Sequence, residues 1–412
     1  MTERQERWVV VGAGVAGSVV AARLAEFGAG EVVLVEEGEV SPTPSPVDVD
    51  AALDGGRRRA GIVIRRSVGA EPQPYTAAVG LGGGSAVNAM VASPGGPFTR
   101  PHRLTLHTCD ADDLGAVDHV LAAAVPGTRV VNLTAERVGG RLRRVSVAEA
   151  YLGTASGELR LIGGTRVDRV VFDGDRVVGV VRADGAELDA DRVVVCAGAV
   201  GSPLILWRSG LRIPAIGQGF SDHPSVTVDL EPGDVAWGPG PTGVTVAASA
   251  AIVDGVQVLP VNTAGSLVFG LLRPSVRGVV HAPVGPEATE ADPVVIEHLV
   301  ADHEGDVARL AEVIDRVVSH AGVRVREPWR DTTAMVRDHL TTRPPAYTHA
   351  TSTCAIGSVT DAVGAVHGRR GLFVVDASVF PTVPSVNPML PTVQLAETLV
   401  GRWRATGVVP TP

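Results

Sequence analysis

The stretch Trp8-Val9-Val10-Val11-Gly12-Ala13-Gly14-Val15-Ala16-Gly17, running on to Val32-Val33-Leu34-Val35-Glu36, decides how the chain folds. Four apolar residues read as a buried parallel strand, the glycines as a tight turn, Ser18 to Phe27 as a helix and Val32 to Val35 as the next strand, so a βαβ unit is predicted. Each glycine has a physical task. Gly12 permits the sharp turn, Gly14 lets the backbone approach a pyrophosphate, and Gly17 lets helix and strand pack with no side chain between them. N–H groups at the helix start, around Ala16, face the phosphates. Glu36 stands where a carboxylate accepts hydrogen bonds from an adenosine ribose. A dinucleotide is the expected ligand, and NAD and FAD satisfy this unit equally well.

The 412 residues suffice for two interleaved domains with a large core. A formal charge of −9 offers no phosphate footprint, which argues against nucleic acid as a partner. All 36 basic residues are Arg, and the absence of Lys removes Schiff-base, pyridoxal-phosphate and P-loop chemistry, each of which needs an amine. Cys109, Cys196 and Cys354 are far apart and odd in number, so neither a disulfide framework nor a metal site is expected. The polar start, Met1 to Arg7, lacks the layout of a signal peptide, and no apolar run has the length of a membrane span. A reducing cytoplasm is the expected location, with peripheral membrane docking left open.

Further along, Ser41 to Pro74 reads as loop. Gly80 to Met90, with Gly82, Gly83, Gly84, Ser85 and Asn88, brings backbone very close to a ligand, and Asn88 offers an amide at its end. From Glu158 to Cys196 the strand-like runs 159–162, 169–172 and 177–181, with turns at Asp173-Gly174 and Asp184-Gly185, predict a β-meander feeding a buried strand at 192–195. A second strand–glycine–helix junction follows, its helix expected over 204–209 after Pro203 as a starting residue. Val226 to Val280 predicts an antiparallel, substrate-facing sheet, 305–320 a helix and 336–340 another. Leu372 to Asp376 is a strand ending in an acid, and 391–402 a helix that returns to the first domain.

This set of stretches resembles the glucose–methanol–choline (GMC) family of flavoprotein oxidoreductases. The matching pieces are VVVGAGVAGSVVAARL with VEEG, GLGGGSAVNAM, RVSVAEAYL, VVVCAGAVGSPLIL, GQGFSDHP, GLLRPSVRGVV, HATSTCAIG and LFVVDASVFPTVPSVNPMLPTVQLAE, in the family's order. The resemblance implies an α/β fold: a Rossmann-like FAD-binding domain with a β-meander, and an α+β substrate domain with an antiparallel sheet. It assigns 1–100, 141–225 and 345–412 to a discontinuous FAD domain, 226–344 to the substrate domain and 101–140 to a shortened lid or connection. It further implies FAD held by Gly12, Gly14, Ala16 and Gly17 at the pyrophosphate and Glu36 at the ribose. Gly83, Ser85 and Asn88 fall near the flavin, Val167 at the adenine, and Asp376 with Ala377 at the ribityl and pyrophosphate.

Alcohol oxidation needs a base for the hydroxyl proton and an acceptor for the carbinol hydride. Of eleven His, His349 corresponds to the family's catalytic histidine. The second catalytic position falls on Asn387 by one alignment and on Met389 by another; Asn387 can donate to the substrate oxygen and Met389 cannot. His223, His298, His303 and His367 read as structural. With no His at or before the glycine-rich loop, FAD is expected to be non-covalent. The chain is shorter than the family's usual length after Met90 and in the substrate layer, which implies an open pocket and a bulky or protein-borne alcohol. Some short relatives accompany the peptide-derived redox cofactor mycofactocin, and a non-catalytic flavin-binding or electron-transfer subunit is the alternative of a different class. Substrate identity, electron acceptor and oligomeric state stay open at this point.

Overall fold

A computed structural model describes residues 5–40, 46–95, 102–155, 157–232, 236–281, 283, 292–321, 324–326 and 330–409. Its nucleotide half is built on five parallel strands in the order Leu159–Ile162, Glu31–Val35, Arg7–Val11, Arg192–Val195, Leu372–Val374. The three central strands, Glu31–Val35, Arg7–Val11 and Arg192–Val195, are short, Val-rich and covered on both faces, so their apolar runs are continuous rather than alternating. Helices Val15–Glu26 and Met389–Ala405 pack against each other beside the sheet. They are also joined by charge: Glu397 accepts from Arg23 at 2.7 Å and from the Tyr151 hydroxyl at 2.7 Å. The first and last parts of the chain therefore complete one domain.

Two expectations change here. Leu159–Ile162 does not belong to the meander. It is the edge strand of the parallel sheet, in register with Val32 to Val35, and the meander proper is Val167–Asp173, Arg176–Arg182 and Glu187–Asp189. The second junction's helix spans Gly198–Arg208 and starts at the glycine turn, with Pro203 inside it. A proline there leaves the carbonyl of Ala199, four residues earlier, without its helical donor. The Thr353 hydroxyl donates to that carbonyl at 2.6 Å instead.

The substrate half carries an antiparallel sheet in the order Ser225–Asp229, Ser266–Leu271, Val256–Val261, Ser249–Val253, with Arg129–Val130 at its edge. Its residues alternate between two apolar environments. Val226, Val228, Val256, Val258, Leu267, Phe269 and Leu271 pack under helices Ala116–Ala124, Glu304–Ala321 and Thr332–Thr342. Leu259 and Val268 pack on the opposite face, towards the nucleotide half. A third sheet, in the order Gln218–Phe220, Gly278–His281, Val294–Glu297, Ile62–Arg65, Gln73–Pro74, bridges the halves.

Ile62–Arg65 falls in the stretch expected as loop, where its run of Ile, Val and Ile is instead drawn into a parallel pairing with Val294–Glu297. In the stretch expected as a lid, Val117, Leu121 and Ala124 lie in the core of the substrate half, and Arg129–Val130 extends its sheet. Residue 101, at the start of that stretch, lies outside the described residues.

Candidate active site

A cavity of about 690 Å³ runs between the nucleotide half and the free face of the substrate sheet. At one end two glycine loops touch. A Cβ on Gly83 would lie 2.8 Å from Gly14 Cα, and one on Gly12, where φ is +99°, would lie 2.6 Å from the Cys196 carbonyl oxygen. Gly17 plays the packing role read from the sequence, since a Cβ there would meet the Gly12 carbonyl oxygen at 1.8 Å. Helix Val15–Glu26 begins without a side-chain cap or an acid in its first turn, and Gly14, Val15 and Ala16 line the cavity. Bare N–H groups and close backbone there suit a pyrophosphate.

Glu36 is buried and does more than reach a ribose. Its carboxylate accepts from the amides of Ala13 at 2.7 Å, Gly38 at 2.9 Å and Gly80 at 2.7 Å, so it pins the two glycine loops together and still lines the cavity. Asp376 is held in the same manner, accepting from the Gly198 amide at 2.9 Å, the Ser202 hydroxyl at 2.5 Å and the Ser378 amide at 2.8 Å. Burial raises its pKa above the usual carboxylate range.

His349 lines the cavity, and its Nδ1 lies 2.9 Å from Nδ1 of His223. His223 Nε2 is 2.9 Å from the Pro384 carbonyl, which only accepts, so Nε2 carries the hydrogen. Burial pushes the His223 pKa down to about 4, so near neutral pH the ring has one N–H and its Nδ1 is an acceptor. The donor between the rings is therefore His349 Nδ1–H. Burial first, and His223 second, hold His349 well below the ordinary imidazole range. Neutral His349 with its hydrogen on Nδ1 has a bare Nε2, the form a proton acceptor requires. Behind both rings, Asp222 Oδ1 accepts from the amides of His223 and His349 at 2.7 Å each, and burial pushes its carboxyl up to about 6.

Asn387 lies just before Pro388, the N-cap of the C-terminal helix, and also lines the cavity. Its Oδ1 accepts from Gln257 Nε2 at 3.0 Å and from the Ser93 hydroxyl at 3.3 Å, while the Tyr347 hydroxyl donates to Gln257 Oε1 at 3.1 Å. This chain fixes which way the Asn387 amide faces, leaving its Nδ2 hydrogens for the cavity. Met389, the alternative, is the first residue of the helix and lines the cavity with a side chain that cannot donate. Asn88 is oriented similarly: its Oδ1 accepts from buried Arg144 at 2.9 Å and from the Met90 amide at 3.0 Å.

Of the residues read from the sequence, Gly12, Gly14, Ala16, Glu36, Gly83, Asn88, Val167, His349, Asp376, Ala377 and Asn387 share this one cavity. Gly17 and Ser85 are not among its lining. Ser85 is fully buried, accepts from the Val147 amide at 3.0 Å and donates to the Gly82 carbonyl at 2.7 Å, so it shapes the loop from behind. Sequence reasoning missed His223, Gln257, Tyr347 and Arg144. His223 and Arg144 sat in quoted motifs, GQGFSDHP and RVSVAEAYL, the first read as structural and the second given no role; Gln257 and Tyr347 carried no local signal. Outside the cavity, His107, Cys109 and Asp113 place their ligand atoms within 4.8 Å of one another. Asp113 already accepts from His107, Thr242, Arg137 and the Asp110 amide, and burial with acidic neighbours pushes the Cys109 thiol up to about 12. That cluster is a hydrogen-bonded network.

Two GMC oxidoreductase domain families match the chain, the N-terminal over residues 134–225 and the C-terminal over 278–396. An oxygen-dependent choline dehydrogenase of Xanthomonas campestris pv. campestris (strain B100) is 26% identical over 546 aligned positions, covering 99% of this chain and 97% of that protein. A 5-(hydroxymethyl)furfural oxidase of Methylovorus sp. (strain MP688) is 26% identical and covers 96% and 98%. The crystal structure of pyridoxine 4-oxidase from Mesorbium loti superposes with a TM-score of 0.81 at 23% identity, covering 97% of this chain and 99% of that one. With the glycine cradle and with His349 and Asn387 lining one cavity, these matches make the chain a member of the GMC oxidoreductase family and an FAD-dependent enzyme.

Proposed function

We propose that this enzyme oxidises an alcohol to the carbonyl compound, with His349 Nε2 taking the hydroxyl proton and Asn387 Nδ2 donating to the substrate oxygen. The observation that carries this is the tautomer imposed on His349 by His223 and Pro384 in a cavity shared with the glycine cradle. When bound, FAD supplies the acceptor at N5 for the hydride that leaves the carbinol carbon. The Nδ1–H of His349 stays bonded to His223 Nδ1 as the proton reaches Nε2, so the ring keeps the orientation that presents Nε2 throughout. Asn387 acts on the other partner, stabilising negative charge on the oxygen while it develops. Gly12, Gly14, Ala16 and Glu36 would hold the adenosine and pyrophosphate end, Val167 the adenine, and Gly83, Asn88, Asp376 and Ala377 the flavin end, while Gly17 lets the helix pack against the turn.

Non-covalent attachment is part of this reading, because no histidine precedes the glycine-rich loop. Acid precipitation of the purified yellow protein should release all of its flavin. A bulky or protein-borne alcohol also fits, since alignment over 546 positions leaves well over a hundred positions of the choline dehydrogenase without a counterpart in this chain. The test of the central proposal is anaerobic mixing with a panel of alcohols, read as bleaching of the flavin. His349→Ala should keep its flavin and lose about 10²- to 10⁴-fold in reduction rate, the usual contribution of a general base. An unaffected variant overturns the role of His349, and a protein whose flavin no alcohol reduces overturns alcohol oxidation and favours an electron-transfer subunit.

A further inference from the structure

The cavity is charged at one end and uncharged at the other. Every acidic and every arginine side chain among its described lining residues comes from the nucleotide half: from positions 36 to 59, from Arg166 and Arg208, and from Asp376. Facing them, the free side of the substrate sheet contributes Thr227, Leu259, Val261, Ser266 and Val268, with Val246 beside them. The strand pattern explains this wall, because successive residues alternate between the helix-covered core and the cavity. None of the six can carry charge. Two tyrosine rings are found among the described lining residues, and both hydroxyls are committed, Tyr75 to Asp222 at 2.7 Å and Tyr347 to Gln257 at 3.1 Å. Tyr347 in addition packs against the His349 ring, centroid to centroid at 4.8 Å.

A charged substrate group placed here would lose its water without gaining a partner. A carboxylate needs donors or a cation, and a quaternary ammonium needs a carboxylate or a cage of aromatic faces. The wall offers hydroxyls, methyls and one ring already packed against His349. It suits a chain of CH₂ and CH₃ groups ending in a neutral hydroxyl.

We propose that the substrate is an uncharged, largely apolar alcohol, and that the substrate-sheet wall excludes alcohols bearing a quaternary ammonium or a carboxylate. This rests on the alcohol-oxidation reading and adds the chemical class of its substrate.

The experiment pairs alcohols of equal shape and different charge. Holoenzyme is mixed anaerobically with choline or with its neutral isostere 3,3-dimethylbutan-1-ol, and separately with 4-hydroxybutanoate or its neutral isostere 4-methylpentan-1-ol, and flavin bleaching is followed. Equilibrium titration of the oxidised flavin's spectrum reports binding without turnover. The neutral member of each pair should be favoured by about 100-fold or more in reduction rate over dissociation constant. Straight-chain alcohols should tighten by about fourfold for each added methylene until the pocket is filled. Choline or 4-hydroxybutanoate binding and reacting as well as its isostere overturns the substrate class and leaves alcohol oxidation standing. Failure of every alcohol to bleach a flavin that dithionite reduces overturns alcohol oxidation, and the substrate class with it.

Discussion

His349 is one of eleven histidines, and its environment rather than its residue type gives it a proton-accepting nitrogen. The Pro384 carbonyl fixes a hydrogen on His223 Nε2, which turns His223 Nδ1 into an acceptor and fixes the hydrogen on His349 Nδ1. His223→Leu should therefore slow flavin reduction by about 10- to 100-fold and move the acid limb of the rate profile to higher pH, because part of what depresses His349 is gone. His223→Gln, whose side-chain oxygen still accepts, should retain most of the rate. Stopped-flow reduction between pH 5 and 9 checks both, and an unchanged profile in His223→Leu would reduce that ring to packing. Gln257 plays the corresponding part for Asn387. Gln257→Leu should lower the maximal reduction rate by about tenfold, near one neutral hydrogen bond, with flavin content unchanged. A change confined to substrate affinity would count against the orienting role.

At the scale of elements, the flavin end depends on two loops meeting through backbone alone. Gly83 sits at φ +49° with its missing Cβ 2.8 Å from Gly14 Cα, and Glu36 ties the two loops by accepting from the amides of Ala13 and Gly80. Gly83→Ala must push the loops apart, since neither side of the contact has a flexible side chain that can yield. It should weaken flavin affinity by at least tenfold while circular dichroism of the holo and apo proteins stays that of the parent. Binding as tight as in the parent would show that the close approach is not needed. The helix starting at Gly198 illustrates the same dependence across segments, because its internal Pro203 is accommodated by a hydroxyl from Thr353, in the motif that also carries His349.

For the whole molecule, burying these groups links stability to pH. Burial pushes His223, His298 and His339 each down to about 4, below the roughly 6.5 of an unfolded chain. A histidine depressed on folding adds stability that is present above its unfolded pKa and is lost as pH falls towards its folded value. Each contributes on the order of 3 kcal/mol across that window. Asp222 has the opposite sign: its folded pKa of about 6 lies above the unfolded value, so its contribution falls as pH rises through that range. It offsets about one of the three histidines, and net stability should drop on acidification from about pH 6.5 to about pH 4. Denaturant unfolding across this range checks the sign, and His298→Leu should flatten the slope by about one proton. A flat or inverted dependence would mean these histidines are hydrated in solution.

The sequence by itself determined the parts whose signal is local. The run from Trp8 to Glu36, the glycine loop at 80 to 90 and the strand ending at Asp376 are legible because a turn, a close backbone approach or a buried strand restricts residue types within a short window. His349 and Asn387 were legible through the resemblance that their motifs carry. Only the tertiary structure decided what lies beside them. His223, Gln257 and Arg144 each act through a partner far away in the chain, and no spacing rule marks a residue whose role is to orient another's hydrogen. The same reason moved Leu159–Ile162 into the parallel sheet and Ala116–Ala124 into the substrate core. A short apolar run reads the same whether its neighbour in space is a meander, a lid or a core, and packing alone makes that choice.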